Sequence, residues 1–142
     1  MEALKIAEKI LAYQNLDSSL AISNLKLQKL LFYCQAYHLV FKSKPLFDDD
    51  ILAWDYGPVV EDVYEHYKKY KSSIIPPPKV LKSCIDASSI GIISVVMDAY
   101  AKMSPISLMS LTHSEKPWQQ AYPNGVISRK SMQEYYKQFT NK

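Results

Sequence analysis

Apolar residues return at helical spacing at the head of the chain. Leu4, Ala7, Ile10 and Leu11 fall on one side of a wheel whose other side carries Lys5, Glu8 and Lys9, which predicts an amphipathic helix over residues 2–14. After the turn NLDSSLAIS, Ser23 stands where an N-cap belongs, its hydroxyl able to accept an orphan amide hydrogen of the following helix. That helix, NLKLQKLLFYCQAYHLVFK, is expected over residues 24–42. Leu27, Leu30, Leu31, Cys34 and Phe41 form one face, and Leu25, Phe32, Ala36, Leu39 and Val40 cover much of the remainder. A helix apolar nearly all round belongs at the centre of a fold, wrapped by its neighbours.

Lys44-Pro45 closes the central helix, and Asp48, Asp49 and Asp50 make an acidic turn. A short extended segment is expected at 51–54, with a possible partner strand near 79–82. Gly57-Pro58 permits a sharp change of direction into a helix, because proline at the first helical position lacks only an amide hydrogen that would have had no partner. Val60, Val63, Tyr64 and Tyr67 line one side of that helix. Glu61 and Asp62 stand at its positive end and Lys68, Lys69 and Lys71 at its negative end, so the macrodipole accounts for the charge order. Three consecutive prolines, Pro76 to Pro78, keep the next stretch on the surface and non-helical. The β-branched run within DASSIGIISVVMDAYAKM favours a strand by propensity, but its length and the Ile92, Val96, Ala99, Tyr100, Met103 stripe favour a helix. Ser104-Pro105 starts a further short helix ending near His113, Lys116-Pro117-Trp118 opens another turn that Asn124-Gly125 breaks, and Ser128 caps a last helix bearing Met132, Tyr135, Tyr136 and Phe139. The expected architecture is mainly α: one domain over residues 1–142, about six helices around the buried helix 24–42, and at most a minor strand pair.

A chain of 142 residues, 48% hydrophobic and 22% charged, suits one globular core. No apolar run reaches the roughly twenty residues that span a bilayer, and charges interrupt the N-terminal segment, so a cytoplasmic protein without membrane partners is expected. The net charge of +3 comes almost wholly from lysine, Arg129 being the sole arginine. Lysine is a hydrated point charge rather than a bidentate fork, so specific nucleic-acid readout is poorly supplied. Eleven tyrosines and two tryptophans beside lysines could stack single-stranded bases, but most fall on apolar helical faces, where packing and protein-binding rims are the commoner use.

Three glycines cannot build a phosphate-binding loop, and no cofactor is indicated. His38, His66 and His113 lack metal-ligand spacing and have no thiols beside them; Cys34 and Cys84 form no paired motif. His38 is expected as a hydrogen-bonded core residue, His66 as an exposed helical pair with Asp62, and His113 as a residue serving helix-terminal carbonyls. The enzymatic alternative assembles His113 with Glu115 and Lys29 for hydrolytic or small-molecule chemistry.

Taken in order, NLKLQKLLFYCQAYHL, KPLFDDDILAWDYGPVVEDVYEHYKKY, SLMSLTHSEKPWQQAY and a capped helix ending in EYY resemble the Panacea, or SocA-like, domain family along nearly the whole chain. The resemblance implies a compact, mainly helical domain of bacteria and phages. Many of its members are antitoxins that neutralise a cognate protein toxin by direct binding, and one also serves as an adaptor delivering its toxin to a ClpXP-type protease. It places Lys29, Tyr33, Trp54, Tyr56, Gly57, Pro58, His113, Pro117 and Trp118 at motif positions. The loops around Trp54 and Tyr56 and the turn from Thr112 to Trp118, including Glu115, are accordingly expected to form the partner-binding rim, while Lys29, Tyr33, Gly57, Pro58 and Pro117 hold the fold.

Overall fold

The computed structural model of the chain describes residues 1–81 and 84–140. Seven α-helices are found among them: α1 (Ala3–Ala12), α2 (Asn24–Lys42), α3 (Glu61–Tyr67), α4 (Ala87–Tyr100), α5 (Pro105–His113), α6 (Lys116–Ala121) and α7 (Arg129–Lys137). Strands β1 (Leu52–Trp54) and β2 (Gly57–Val59) form an antiparallel hairpin, with Leu52 opposite Val59 and Trp54 opposite Gly57. Helix α2 is the axle: α1, α3, α4, α5, α7 and β2 all pack on it, and Leu27, Leu30, Leu31, Phe32, Tyr33, Cys34 and Ala36 are fully buried.

Local side-chain caps start four of the seven helices. Ser23, Asp86, Ser104 and Ser128 each accept a hydrogen bond from the amide three residues on, at 3.3, 2.9, 3.1 and 3.0 Å. Helix α1 has no such neighbour; Asp49 of the acidic turn reaches back to accept from the Ala3 amide at 2.9 Å. The ambiguous segment after Asp86 is helical, with Ile92, Ile93, Val96 and Met97 buried.

Several expectations are corrected. Gly57-Pro58 does not open a helix: both residues form β2, and α3 starts only at Glu61. The partner of β1 is therefore the very next segment rather than one near 79–82, where residues 79–81 are not in a strand and 82 lies outside the described residues. On its other edge β1 is paired by the chain around Asn124 to Ile127, with the Ala53 amide donating to Gly125 O at 2.9 Å and the Ile127 amide to Ile51 O at 2.8 Å. His66 is exposed and rests edge-on against Tyr67; no ion pair joins it to Asp62 among the described residues. Phe41, placed by periodicity on the buried face, is 51% exposed, because α2 there borders an open cavity shared with α4 and the segment after α7.

The central helix is also more polar inside than its hydrophobic count suggests. Asn24, Lys26, Gln28, Lys29, Gln35 and His38 are all buried along it. Irregular segments packed on a core bring backbone groups that need partners, and Lys26, Gln28, Gln35 and His38 supply them. Gln35 accepts from the Leu46 and Phe47 amides at 2.8 and 3.2 Å and donates to Phe47 O at 2.9 Å. Gln28 accepts from the Val60 amide at 2.9 Å, while Lys26 donates to Leu20 O at 2.5 Å. His38 contacts Lys44 O at 2.8 Å and Ser89 Oγ at 3.0 Å, the core role expected of it, and burial holds its pKa below the ordinary histidine value. Outside α2, Gln14 does the same work, bonding Ile75 O and the Ile22 amide at 2.9 and 2.8 Å. No single helix among the described residues is long and apolar enough to cross a membrane.

Candidate functional site

The hairpin turn at Asp55 and Tyr56 projects beside α6, and the two are tied together by specific bonds. Trp118 Nε1 donates to Trp54 O at 2.9 Å, and the Tyr122 hydroxyl donates to Asp55 Oδ1 at 2.7 Å. Trp118 and Tyr122 are four residues apart, so helical geometry places their rings together, with centroids 4.5 Å apart. On the other face of Trp118 lies His113, stacked at 4.0 Å with 25° between planes. Trp54 meets Tyr64 of α3 edge-on at 5.2 Å. The result is a continuous aromatic rim, with Tyr56 at its tip 65% exposed and Tyr122 44% exposed. Pro117 is buried in the first turn of α6 and sets the direction from which Trp118 leaves.

Beneath the rim, Gly57 takes φ 118, a conformation that side chains rarely permit, and a Cβ there would stand 3.1 Å from both Lys29 Cε and Thr112 Oγ1. The hairpin thus lies directly on the Lys29 stem. Lys29 is fully buried, its Nζ donating to Leu25 O at 3.2 Å, and among the described residues no carboxylate pairs with it. Loss of hydration pulls its pKa down to about 7.

Deeper still is a tyrosine cluster. Tyr33 and Tyr136 both donate to Glu115 Oε1 at 2.7 Å, Tyr33 stacks on Tyr100 at 4.1 Å, and the Tyr100 and Tyr37 hydroxyls are 2.8 Å apart. Burial raises the Glu115 pKa, against the lowering effect of the two hydroxyl donors. Burial above all also raises the pKa of Tyr33 and Tyr136.

Of the residues expected at the rim, Trp54, Tyr56, His113 and Trp118 are brought together, whereas Glu115 turns inward under the tyrosines and presents no side chain to a partner. Lys29, His113 and Glu115 do not form a hydrogen-bonded constellation: Lys29 bonds Leu25 O, Glu115 bonds the tyrosines, and His113 Nε2 is buried without a partner. Among the described residues the His113 side chain caps no carbonyl either; its own carbonyl accepts from Gln119 Nε2 at 2.8 Å. Among the described residues no three His, Cys, Asp or Glu side chains gather to hold a metal ion. Sequence reasoning missed Asp55, Tyr64 and Tyr122 at the rim. The four-residue spacing of Trp118 and Tyr122 was the one local signal; the other two meet only through the hairpin.

The family described as "Antitoxin SocA-like, Panacea domain" matches residues 27–119, from early in α2 through the hairpin to Trp118 and the residue beyond it in α6. A curated relative, "Antitoxin SocA" of Caulobacter vibrioides, is 30% identical over 109 residues, covering 68% of this chain and 58% of the relative. The match thus spans less than two thirds of that relative's length. No solved structure matches the chain.

Proposed function

The chain belongs to the SocA-like Panacea antitoxin domain family, and on that premise we propose that it is an antitoxin that neutralises a cognate protein toxin by direct binding through the aromatic rim. The observation that carries this reading is the build of the rim itself. Tyr56 is held out on a two-residue turn, while Trp54, Trp118, Tyr122 and His113 lock one another by stacking and by the bonds to Trp54 O and Asp55. Aromatic anchors that are already ordered lose little side-chain entropy on binding, and such residues carry most of the energy of protein interfaces. Neutralisation of this kind asks for coverage of the toxin, not for chemistry. Burial of Glu115 and the isolation of Lys29 support a scaffolding role for both.

The test is co-expression with the reading frame that neighbours the gene. That frame alone should arrest growth, and this chain should restore it. Tyr56→Ala, at an exposed position, should leave the fold unchanged and weaken protection at least about tenfold, the scale of an interface anchor. Full protection by a Trp54→Ala, Tyr56→Ala double variant would remove the rim from the mechanism. A toxin whose half-life shortens only when this chain is present would replace capture by delivery to a ClpXP-type protease.

A further inference from the structure

A second surface, sharing no residue with the rim, lies between the C-terminal half of α2, the outer face of α4 and the end of α7. A cavity of about 350 Å³ opens there, lined by Tyr37, Phe41, Val95, Ala99, Tyr100 and Phe139, with Val96 and Thr140 completing it. Phe41, Val95 and Phe139 are 51, 54 and 54% exposed, an unusual cluster of wet apolar side chains on one small patch. Along α4 the exposed positions Gly91, Val95 and Ala99 follow at four-residue intervals. They make a low wall about 12 Å long, over which another backbone can approach closely. The two phenylalanines stand as higher walls, and the paired hydroxyls of Tyr37 and Tyr100 lie at its edge.

Two walls are helices and the third is the turn after α7, where the Phe139 and Thr140 amides bond Tyr136 O and Lys137 O; with no strand edge to extend, an occupant must engage by side chains. A helix presenting apolar residues at i, i+3, i+4 and i+7 satisfies that geometry. The surrounding charge selects its flanks. The carboxylates near the groove are committed or turned away: Asp86 is engaged by Lys42, Ser88 and Ser89, Asp98 lines a separate cavity with Tyr13 and Asp17, and Glu134 pairs with Lys130. Lys137 lies on the same stripe of α7 as Gln133, which bonds Leu39 O, and Thr140, which lines the cavity. Lys137 has no ion pair among the described residues, nor has Lys44 just past the end of α2. We infer that this groove docks an amphipathic helix of a partner protein, its apolar stripe seated between Phe41 and Phe139 and its flanks carrying carboxylates that meet Lys137 and Lys44. The inference does not depend on the antitoxin reading, and its test uses no toxin.

Two fluorescein-labelled peptides of about 15 residues, long enough to hold a helix once seated, share one leucine stripe at helical spacing and differ only in carrying glutamate or lysine on the flanks. Fluorescence anisotropy against the full chain should show the glutamate peptide binding at least about tenfold more tightly than the lysine peptide, with the difference shrinking as salt is raised. Val95→Glu should abolish binding. Lys137→Glu, at an exposed helical position that leaves the apolar walls intact, should weaken the glutamate peptide several-fold and strengthen the lysine one. Equal affinity for the two peptides, absence of binding by the glutamate peptide, or binding untouched by both variants would overturn the proposal. So would sedimentation showing a homodimer that Val95→Glu dissociates, since the groove's occupant would then be a second copy of this chain.

Discussion

Replacing Lys29 with methionine tests the claim that a lysine without a counter-ion sits in the core of this domain. In the folded chain its ammonium exchanges water for one backbone carbonyl, Leu25 O at 3.2 Å, and burial alone draws its pKa from 10.5 to about 7. Since one pH unit of displacement corresponds to about 1.4 kcal/mol, this interval represents a penalty of about 5 kcal/mol when the group is charged in the unfolded chain. The sign follows from proton binding. Between about pH 7 and 10.5 the unfolded chain holds the lysine proton more firmly than the folded one, so stability rises with pH through that window. Below about pH 7 the penalty is fully present and no longer changes. Methionine keeps the length of the stem and its contacts under Gly57, and forfeits a hydrogen bond worth about 1.5–3 kcal/mol when its donor is charged. Lys29→Met is therefore expected to be about 2 kcal/mol more stable than the wild type at pH 7. That advantage should fall by about 1 kcal/mol or a little more per pH unit, vanish near pH 9 and be slightly reversed by pH 9.5. Urea unfolding of both proteins at half-unit steps measures it, and taking the difference at each pH cancels the contributions of Cys34, His38 and the buried tyrosines. A variant less stable than the wild type at every pH, or a difference that stays constant from pH 7.5 to 9.5, would refute the reasoning.

Three further outcomes can be measured on the same footing. Gly57→Ala should lower stability by about 1–3 kcal/mol in thermal unfolding, because φ 118 strains any side chain and the new methyl meets Lys29 Cε and Thr112 Oγ1 at 3.1 Å. Glu115→Ala leaves two buried tyrosine hydroxyls without their acceptor and should cost about 2–4 kcal/mol, whereas Glu115→Gln keeps an acceptor oxygen in place and should recover most of that loss. His113→Phe keeps the stack on Trp118 and removes the unpartnered Nε2, so it should stabilise by about 1 kcal/mol; a loss of stability would mean that this nitrogen has a partner in solution.

The elements of this domain were legible in the sequence wherever their cause is local. Helix α2 from residue 24 to 42, the serine caps and the proline starts of α5 and α6 depend on residues within one turn of one another, and the chain states those outright. The hydrophobic count of α2 also placed it at the centre. Tertiary structure decided what long-range pairing decides. Gly57-Pro58 has the local chemistry of a helix start, yet Ala53 lies across from Pro58, and the segment 124–127 holds the far edge of β1, so the hairpin wins and α3 waits until Glu61. The fate of Glu115 is similar: beside Lys116 and Ser114 it reads as a surface charge, and only the arrival of Tyr33, 82 residues away, and Tyr136, 21 residues away, turns it inward. Lys29, about a turn and a half into a helix rich in leucine, could have snorkelled to water; the hairpin closing over it removes that route. Periodicity reports which face of an element prefers to be dry, but whether a given charge stays wet depends on which distant backbone needs a partner or a lid at that spot, and that is settled only when the helices meet.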